Sequence, residues 1–178
     1  MEAGAPREDR QEVSSDALAA FYNRSFGEVY RYLFRAVLGN KALAEDLTQE
    51  TFASIVIAIT AGRAELQSMP WVIGVARHKL IDHYRRSAGE QRRMALVWTG
   101  LGTADVECTD LDDEDPARVV ELLRELSPIH RLVLVLRYLD ELTVEEVAAS
   151  IDRSVHATES LLVRARRSLM RSHKEMAS

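Results

Sequence analysis

The residues best suited to ligand chemistry lie between positions 153 and 171, where arginines recur along one predicted helix. Arginine holds DNA phosphates and binds the acceptor edge of guanine, whereas a carboxylate accepts from the N4 amine of cytosine. The expected base-reading residues are Glu159, Ser160, Val163 and Arg164, and the expected phosphate-holding residues are Arg166, Arg167 and Arg171. Because residues one helical turn apart share a face, these side chains would form one surface for the major groove.

Two short helical signals precede that helix and would position it. Thr143 and Glu146 have the spacing of a capping box, which predicts a helix over residues 144–151. A break at 152–153 follows, and Ser154 then caps the arginine-bearing helix. Two helices joined by a tight turn, with cations on the second, are typical of a helix-turn-helix. An ordinary helical hairpin with a solvated arginine face has the same spacing and remains the alternative.

A second basic face is predicted on an earlier helix that begins at Pro70 and Trp71. The residues at helical spacing that should face the core are Ile73, Ala76, Leu80 and Tyr84. Cations beside an aromatic ring suit single-stranded or distorted nucleic acid, because cations hold phosphates while rings stack on bases. The expected contacts are Trp71, Arg77, His78, Lys79, Asp82, Arg85 and Arg86. The alternative is a solvated basic face beside a buried tryptophan.

The net charge of −5 becomes informative only when the charges are mapped along the chain. Seven carboxylates and no cation lie within residues 105–115. Basic clusters flank this acidic strip on both sides. The distribution therefore predicts two separate anion-binding surfaces, which the average charge conceals.

The chain is predicted to be all-α, with two small helical domains joined by an acidic flexible linker. Only 4 Pro and 8 Gly are present and alternating runs are scarce, while 47% hydrophobic residues suffice for a core. We expect a disordered tail at 1–15, a helical domain at 16–88, the linker at 89–115 and the helix-turn-helix domain at 116–174. Asp115 is expected to cap the first helix of the last domain.

The N-terminal domain is predicted to hold three or four helices. The first covers residues 18–37 and either continues through Gly27 or breaks there. Asn40 caps the next helix, whose β-branched end at 55–59 would suit a strand in isolation but continues a helical frame. Residues 61–69 are expected to form a polar loop before the basic helix.

No catalytic or metal-binding constellation is found, so we expect no enzyme activity, no cofactor and no metal. His78 and His83 are five apart, which places them on different helix faces. Cys108 is the only cysteine, which suits a reducing cytoplasm and excludes an internal disulfide. No apolar stretch reaches about 18 residues, so no membrane segment is expected.

Three stretches in order resemble bacterial RNA polymerase sigma factors of the extracytoplasmic-function (ECF) class. Residues 44–52, AEDLTQETF, resemble the helix that docks on the polymerase clamp. Residues 71–86, WVIGVARHKLIDHYRR, resemble the helix that reads and melts the −10 element. Residues 126–147 with the arginine-bearing helix resemble the domain that binds the −35 element. The resemblance covers about 18–171, and it identifies the two predicted domains with sigma regions 2 and 4.

The resemblance implies a transcription initiation factor whose partners are core RNA polymerase, promoter DNA and, in many relatives, an anti-sigma protein. It implies polymerase-binding residues on one helix, namely Asp46, Gln49, Glu50 and Phe52. It also implies that the acidic linker runs through the polymerase toward its active-site cleft. Two alternatives of other classes are a stand-alone helix-turn-helix regulator and a helical interaction protein that binds no DNA.

Overall fold

The structure is a computed structural model that describes residues 14–62, 68–94 and 116–176, and within these ranges it is helical with no strand. The elements in chain order are α1 (Ser15–Ala36), α2 (Lys41–Thr60), α3 (Met69–Met94), α4 (Pro116–Glu125), α5 (Pro128–Leu134), a π-helical segment (Val135–Leu139), α6 (Val144–Ile151) and α7 (Val155–Met176). The predicted all-α class is confirmed. Residues 1–13 of the tail predicted at 1–15 lie outside the described residues, as do residues 63–67 of the predicted loop, the acidic strip and the Asp115 cap. The end of that tail is ordered instead, because Ser14 caps α1 and the helix begins at Ser15.

The first three helices pack against one another around a shared core. Phe21 and Leu33 of α1, Leu47 and Ile55 of α2, and Leu80 of α3 are among its fully buried side chains. α1 continues through position 27 without a break, because buried residues recur at helical spacing on both sides of that glycine. The β-branched end of α2 is helical as predicted, since burial in this core outweighs local strand propensity.

Local capping signals set several helix boundaries. Asn40 accepts from the backbone N–H of Leu43 at 3.2 Å, which caps α2 as predicted. α3 begins at Met69 and runs to Met94, beyond the predicted loss of periodicity near Ala88. The residues that extend it, EQRRM, are good helix formers and carry the helix past the glycine at position 89.

The C-terminal helices form the predicted helix-turn-helix. Thr143 and Glu146 make the complete capping box. The Glu146 N–H donates to the Thr143 hydroxyl at 3.2 Å, and the Thr143 N–H donates to the Glu146 carboxylate at 2.8 Å. Asp152 then turns the chain in the left-handed region at φ 56°, and the Ser154 hydroxyl accepts from Ala157 N–H to cap α7. Val147 and Ile151 of α6 are buried beneath α7.

The two halves of the chain contact each other. α3 packs against α5 and α6, and buried apolar residues of both halves form one continuous cluster. Within the described ranges, no helix is long and apolar enough to cross a membrane, and no group of acidic, cysteine and histidine side chains has the arrangement of a metal site.

Candidate polymerase and nucleic-acid interfaces

The first surface lies at the start of α7. All four expected base-reading residues are exposed there, with Val163 45% exposed. Thr158, Leu161 and Leu162 are buried on the opposite side and hold the helix against α5 and α6. A helix packed along one side and polar along the other is the arrangement that a major-groove reader requires.

Glu159 has a histidine neighbour within the same helix. Its carboxylate lies 3.9 Å from Nδ1 of His156, one turn earlier, and this pair is exposed. Exposed pairs at this spacing are weak. The Glu159 side chain is therefore available to a partner in the groove.

The expected phosphate-holding residues differ from one another in exposure. Arg171 is exposed, whereas Arg166 and Arg167 are half-buried and their Nε atoms are enclosed. The Arg166 guanidinium lies 5.6 Å from the ring centre of Tyr138, a cation–π contact that fixes its position. Sequence periodicity missed this contact, because Tyr138 comes from the segment before the helix-turn-helix.

The second surface is the face of α3. His78, Asp82, Arg85 and Arg86 are exposed, while Trp71, Arg77 and Lys79 are half-buried. Trp71 packs against the hydrophobic core, so its ring is only partly available for stacking on a base.

Three cations of this face have acidic neighbours on other elements. Arg77 Nε donates to Asp140 Oδ2 at 2.7 Å, and the Arg85 guanidinium lies 3.5 Å from Asp152. Arg86 lies 3.9 Å from Glu50 of α2. Both Asp140 and Asp152 belong to the C-terminal half, so that half covers part of the basic face. The spacing of residues in the sequence did not indicate that the C-terminal half covers this face.

The third surface is on α2. Asp46, Gln49 and Glu50 are exposed, but Phe52 is 5% exposed and belongs to the core. The Phe52 ring lies 4.7 Å from Tyr22 and 6.2 Å from Phe26, which cover it. Phe52 therefore supports this surface from beneath in the free chain.

An aromatic ladder on α1 borders the third surface through Phe52 and was not predicted. Its members recur every four residues and are Tyr22, Phe26, Tyr30 and Phe34. Successive ring centres lie 5.3, 6.2 and 5.8 Å apart. The spacing alone could have indicated one shared face.

Burial shifts the pKa of several ionisable groups, among them Tyr32 at the contact between the halves and His130 on α5. Burial, with the charge and hydrogen bond of Asp140, raises the pKa of Tyr32, so this phenol stays protonated and donates to Asp140 at 2.9 Å. Burial and the nearby Arg164 charge lower the pKa of His130, which keeps that imidazole neutral.

Fold and surfaces together define a helical protein with two faces of exposed cations, the charge that nucleic-acid phosphates attract. Residues 21–90 match the model of sigma-70 region 2, and residues 117–169 match that of sigma-70 region 4. The chain is 30% identical to the ECF RNA polymerase sigma factor SigC of Mycobacterium tuberculosis, over 86% of this chain and 82% of SigC. It is 32% identical to the ECF RNA polymerase sigma factor BldN of Streptomyces coelicolor, over 92% of this chain but only 63% of BldN.

A solved structure supports the fold. The sigma factor RpoE of Bartonella quintana, in complex with the anti-sigma factor NepR, is similar with a TM-score of 0.50 at 19% identity. The similarity covers 88% of this chain and 96% of RpoE. The chain belongs to the ECF class of RNA polymerase sigma factors, non-enzymatic initiation factors that direct the polymerase to promoters. A match to both regions favours this class over a stand-alone helix-turn-helix regulator.

Proposed function

We propose that this chain uses three separate surfaces to bring core RNA polymerase to promoters. Region 2, at 16–88, binds the polymerase clamp through α2 and the −10 element through α3. Region 4, at 116–174, binds the −35 element through α7. The linker between α3 and α4, which the end of α3 at Met94 shortens from 89–115 to 95–115, passes through the polymerase between the two regions. Because core RNA polymerase and promoter DNA are found in the bacterial cytoplasm, we propose that the chain acts there.

The exposed charges on α2, α3 and α7 differ, and this difference is the main support for the proposal. α2 presents an acidic and amide surface, whereas α3 and α7 each present exposed cations. Carboxylates cannot serve as phosphate contacts, so α2 suits a protein partner, and the two basic faces suit DNA. Two DNA-binding faces on one chain fit a promoter with two separated elements.

Glu159→Lys is expected to change the preferred −35 sequence. Glu159 is exposed on the reading face, where a carboxylate accepts from the cytosine N4 amine but is repelled by the guanine acceptor edge. We expect one −35 position to prefer cytosine on the strand facing Glu159, and the lysine variant to shift it toward guanine by about 1–3 kcal/mol. The measurement is a selection over randomised −35 sequences with reconstituted holoenzyme.

The control for this selection is Glu121→Lys, which makes the same charge change at an exposed position on α4. It should strengthen binding to all sequences slightly and leave the selected motif unchanged. Identical motifs for the parent and Glu159→Lys would show that Glu159 does not read a base.

We further propose that an anti-sigma protein holds this chain inactive, since RpoE has been captured with such a partner. Overproducing the chain in its host should then activate its promoters only when it exceeds the partner. The readout is transcript level against the amount of the chain. A sharp threshold is expected, and a response proportional to the chain from the lowest level upward would contradict the partner.

A further inference from the structure

The contact between the two halves centres on one buried carboxylate. The side chain of Asp140 is 2% exposed, and its Oδ2 accepts hydrogen bonds from Tyr32 at 2.9 Å and Arg77 at 2.7 Å. Tyr32 belongs to α1 and Arg77 to α3, so a region 4 residue joins two helices of region 2. Breaking one partner of a buried pair leaves an uncompensated charge, which makes such a contact decisive for the arrangement it holds.

The backbone around Asp140 has an unusual conformation. Asp140 directly follows the π-helical segment, and its N–H donates to the Val135 carbonyl at 3.1 Å, five residues earlier. Arg137 donates to the Leu142 carbonyl at 2.8 Å, and Glu141 is in the left-handed region at φ 55°. π-helical turns are rare and concentrate at functional sites. This turn aims the Asp140 carboxylate at region 2.

Further polar contacts lie around the same interface. Asp152 lies 3.5 Å from Arg85 at the exposed edge of the contact, where the attraction is weak. Arg124 of α4 donates to the Leu38 carbonyl beyond the end of α1, and Tyr84 of α3 interacts with Arg131 of α5. Acidic groups of region 4 thus occupy positions beside Arg77 and Arg85, where DNA phosphates would lie.

The separation of the promoter elements is incompatible with this arrangement. By their names the −10 and −35 elements lie about 25 base pairs apart, which at about 3.4 Å per pair is on the order of 85 Å. α3 and the helix-turn-helix touch in the structure, because α3 packs against both α5 and α6. The two faces therefore cannot engage both elements until the halves separate.

We propose that the free factor is closed by an Asp140 latch, in which region 4 carboxylates take the phosphate positions of the α3 face. Opening requires Asp140 to leave Tyr32 and Arg77, which frees the −10 face and lets region 4 reach the −35 element. Core polymerase drives the change, because binding through α2 and passage of the linker through the polymerase hold the two halves apart. This inference rests on the proposed −10 role of α3.

The test measures the distance between the halves by fluorescence energy transfer in the full chain. Dyes are attached at Glu28→Cys on α1 and Glu145→Cys on α6, both exposed positions, after Cys108→Ser removes the natural thiol. The latch variants are Asp140→Asn and the milder Tyr32→Phe, which removes one hydroxyl. Glu141→Gln removes the same charge at the next, exposed position and is the matched control.

We expect high transfer in the parent and in Glu141→Gln, and a fall when core polymerase is added. Asp140→Asn and Tyr32→Phe should show reduced transfer without polymerase. Asp140→Asn should also bind a mixed-sequence single-stranded oligonucleotide about tenfold more tightly, because a larger fraction of molecules has a free α3 face. Circular dichroism establishes that each variant is folded.

Low transfer in the free parent, or unchanged high transfer in both latch variants, would overturn the latch. Transcription reconstituted with the same parent separates this from the proposed function. If the parent initiates at promoters but never shows high transfer, the proposed function holds and the latch is wrong. If the latch variants lower the transfer but the parent never supports initiation, the latch holds and the proposed function is wrong.

Discussion

Asp46→Arg combined with Gln49→Ala is expected to weaken binding to core polymerase by about thirtyfold or more. Both side chains are exposed on α2, and neither belongs to the core. Reversing a charge at the centre of an interface adds repulsion to the lost contacts, and central anchors typically contribute about 2 kcal/mol or more. The affinity is measured by titrating labelled core polymerase with the purified chain.

Glu28→Arg with Asn23→Ala provides the control for this pair. Both positions are exposed on α1, and the double variant makes the same charge reversal and the same amide truncation. Its affinity should match that of the parent. If the α2 variant also binds core polymerase normally while its circular dichroism is unchanged, the assignment of the polymerase surface to α2 is wrong.

His78→Ala combined with Trp71→Phe is expected to slow promoter opening by about tenfold or more while leaving binding at −35 intact. Holding an extruded base costs a few kcal/mol, and stacking on a ring returns about 1–3 kcal/mol of it. His78 is exposed on the α3 face, and Trp71 lies half-buried beside the core. Phenylalanine keeps a ring packed on the core, because removing that ring would unfold the helix as well. It still weakens the contact, since its ring covers less of a base than indole does and lacks the indole N–H donor.

Opening is measured by the permanganate reactivity of thymines near the start site, with −35 occupancy measured on the same promoter. Arg31→Ala, a truncation at an exposed position on α1, should open the promoter at the parental rate. Parental opening by the His78 and Trp71 double variant would remove the −10 role from this face.

Features set by neighbouring residues were predictable from the sequence. The capping box of Thr143 and Glu146 and the Asn40 cap depend on side chains three residues from their partners, so spacing alone identifies them. The exposed reading face of α7 follows from the same periodicity. The helix-forming residues at 90–94 could have predicted the true end of α3 at Met94, but the glycine at position 89 led to a predicted end near Ala88.

Features set by distant residues were not predictable. Asp140 and Tyr32 are 108 residues apart in the chain, and no local pattern relates them. Phe52 illustrates the same limit, because its burial depends on rings of α1 that fold over it. Helical periodicity indicates which residues share a face, whereas tertiary packing decides whether that face meets solvent, a core or another domain.

As a member of the ECF class, this chain is expected to give core RNA polymerase its promoter specificity. Reconstituted transcription tests it most directly, with core polymerase, the purified chain and fragments of the host genome as templates. We predict discrete transcripts that appear only when both proteins are present, that share −35 and −10 elements, and that are lost with the Asp46 and Gln49 double variant. Start sites that are identical with and without the chain would contradict the claim.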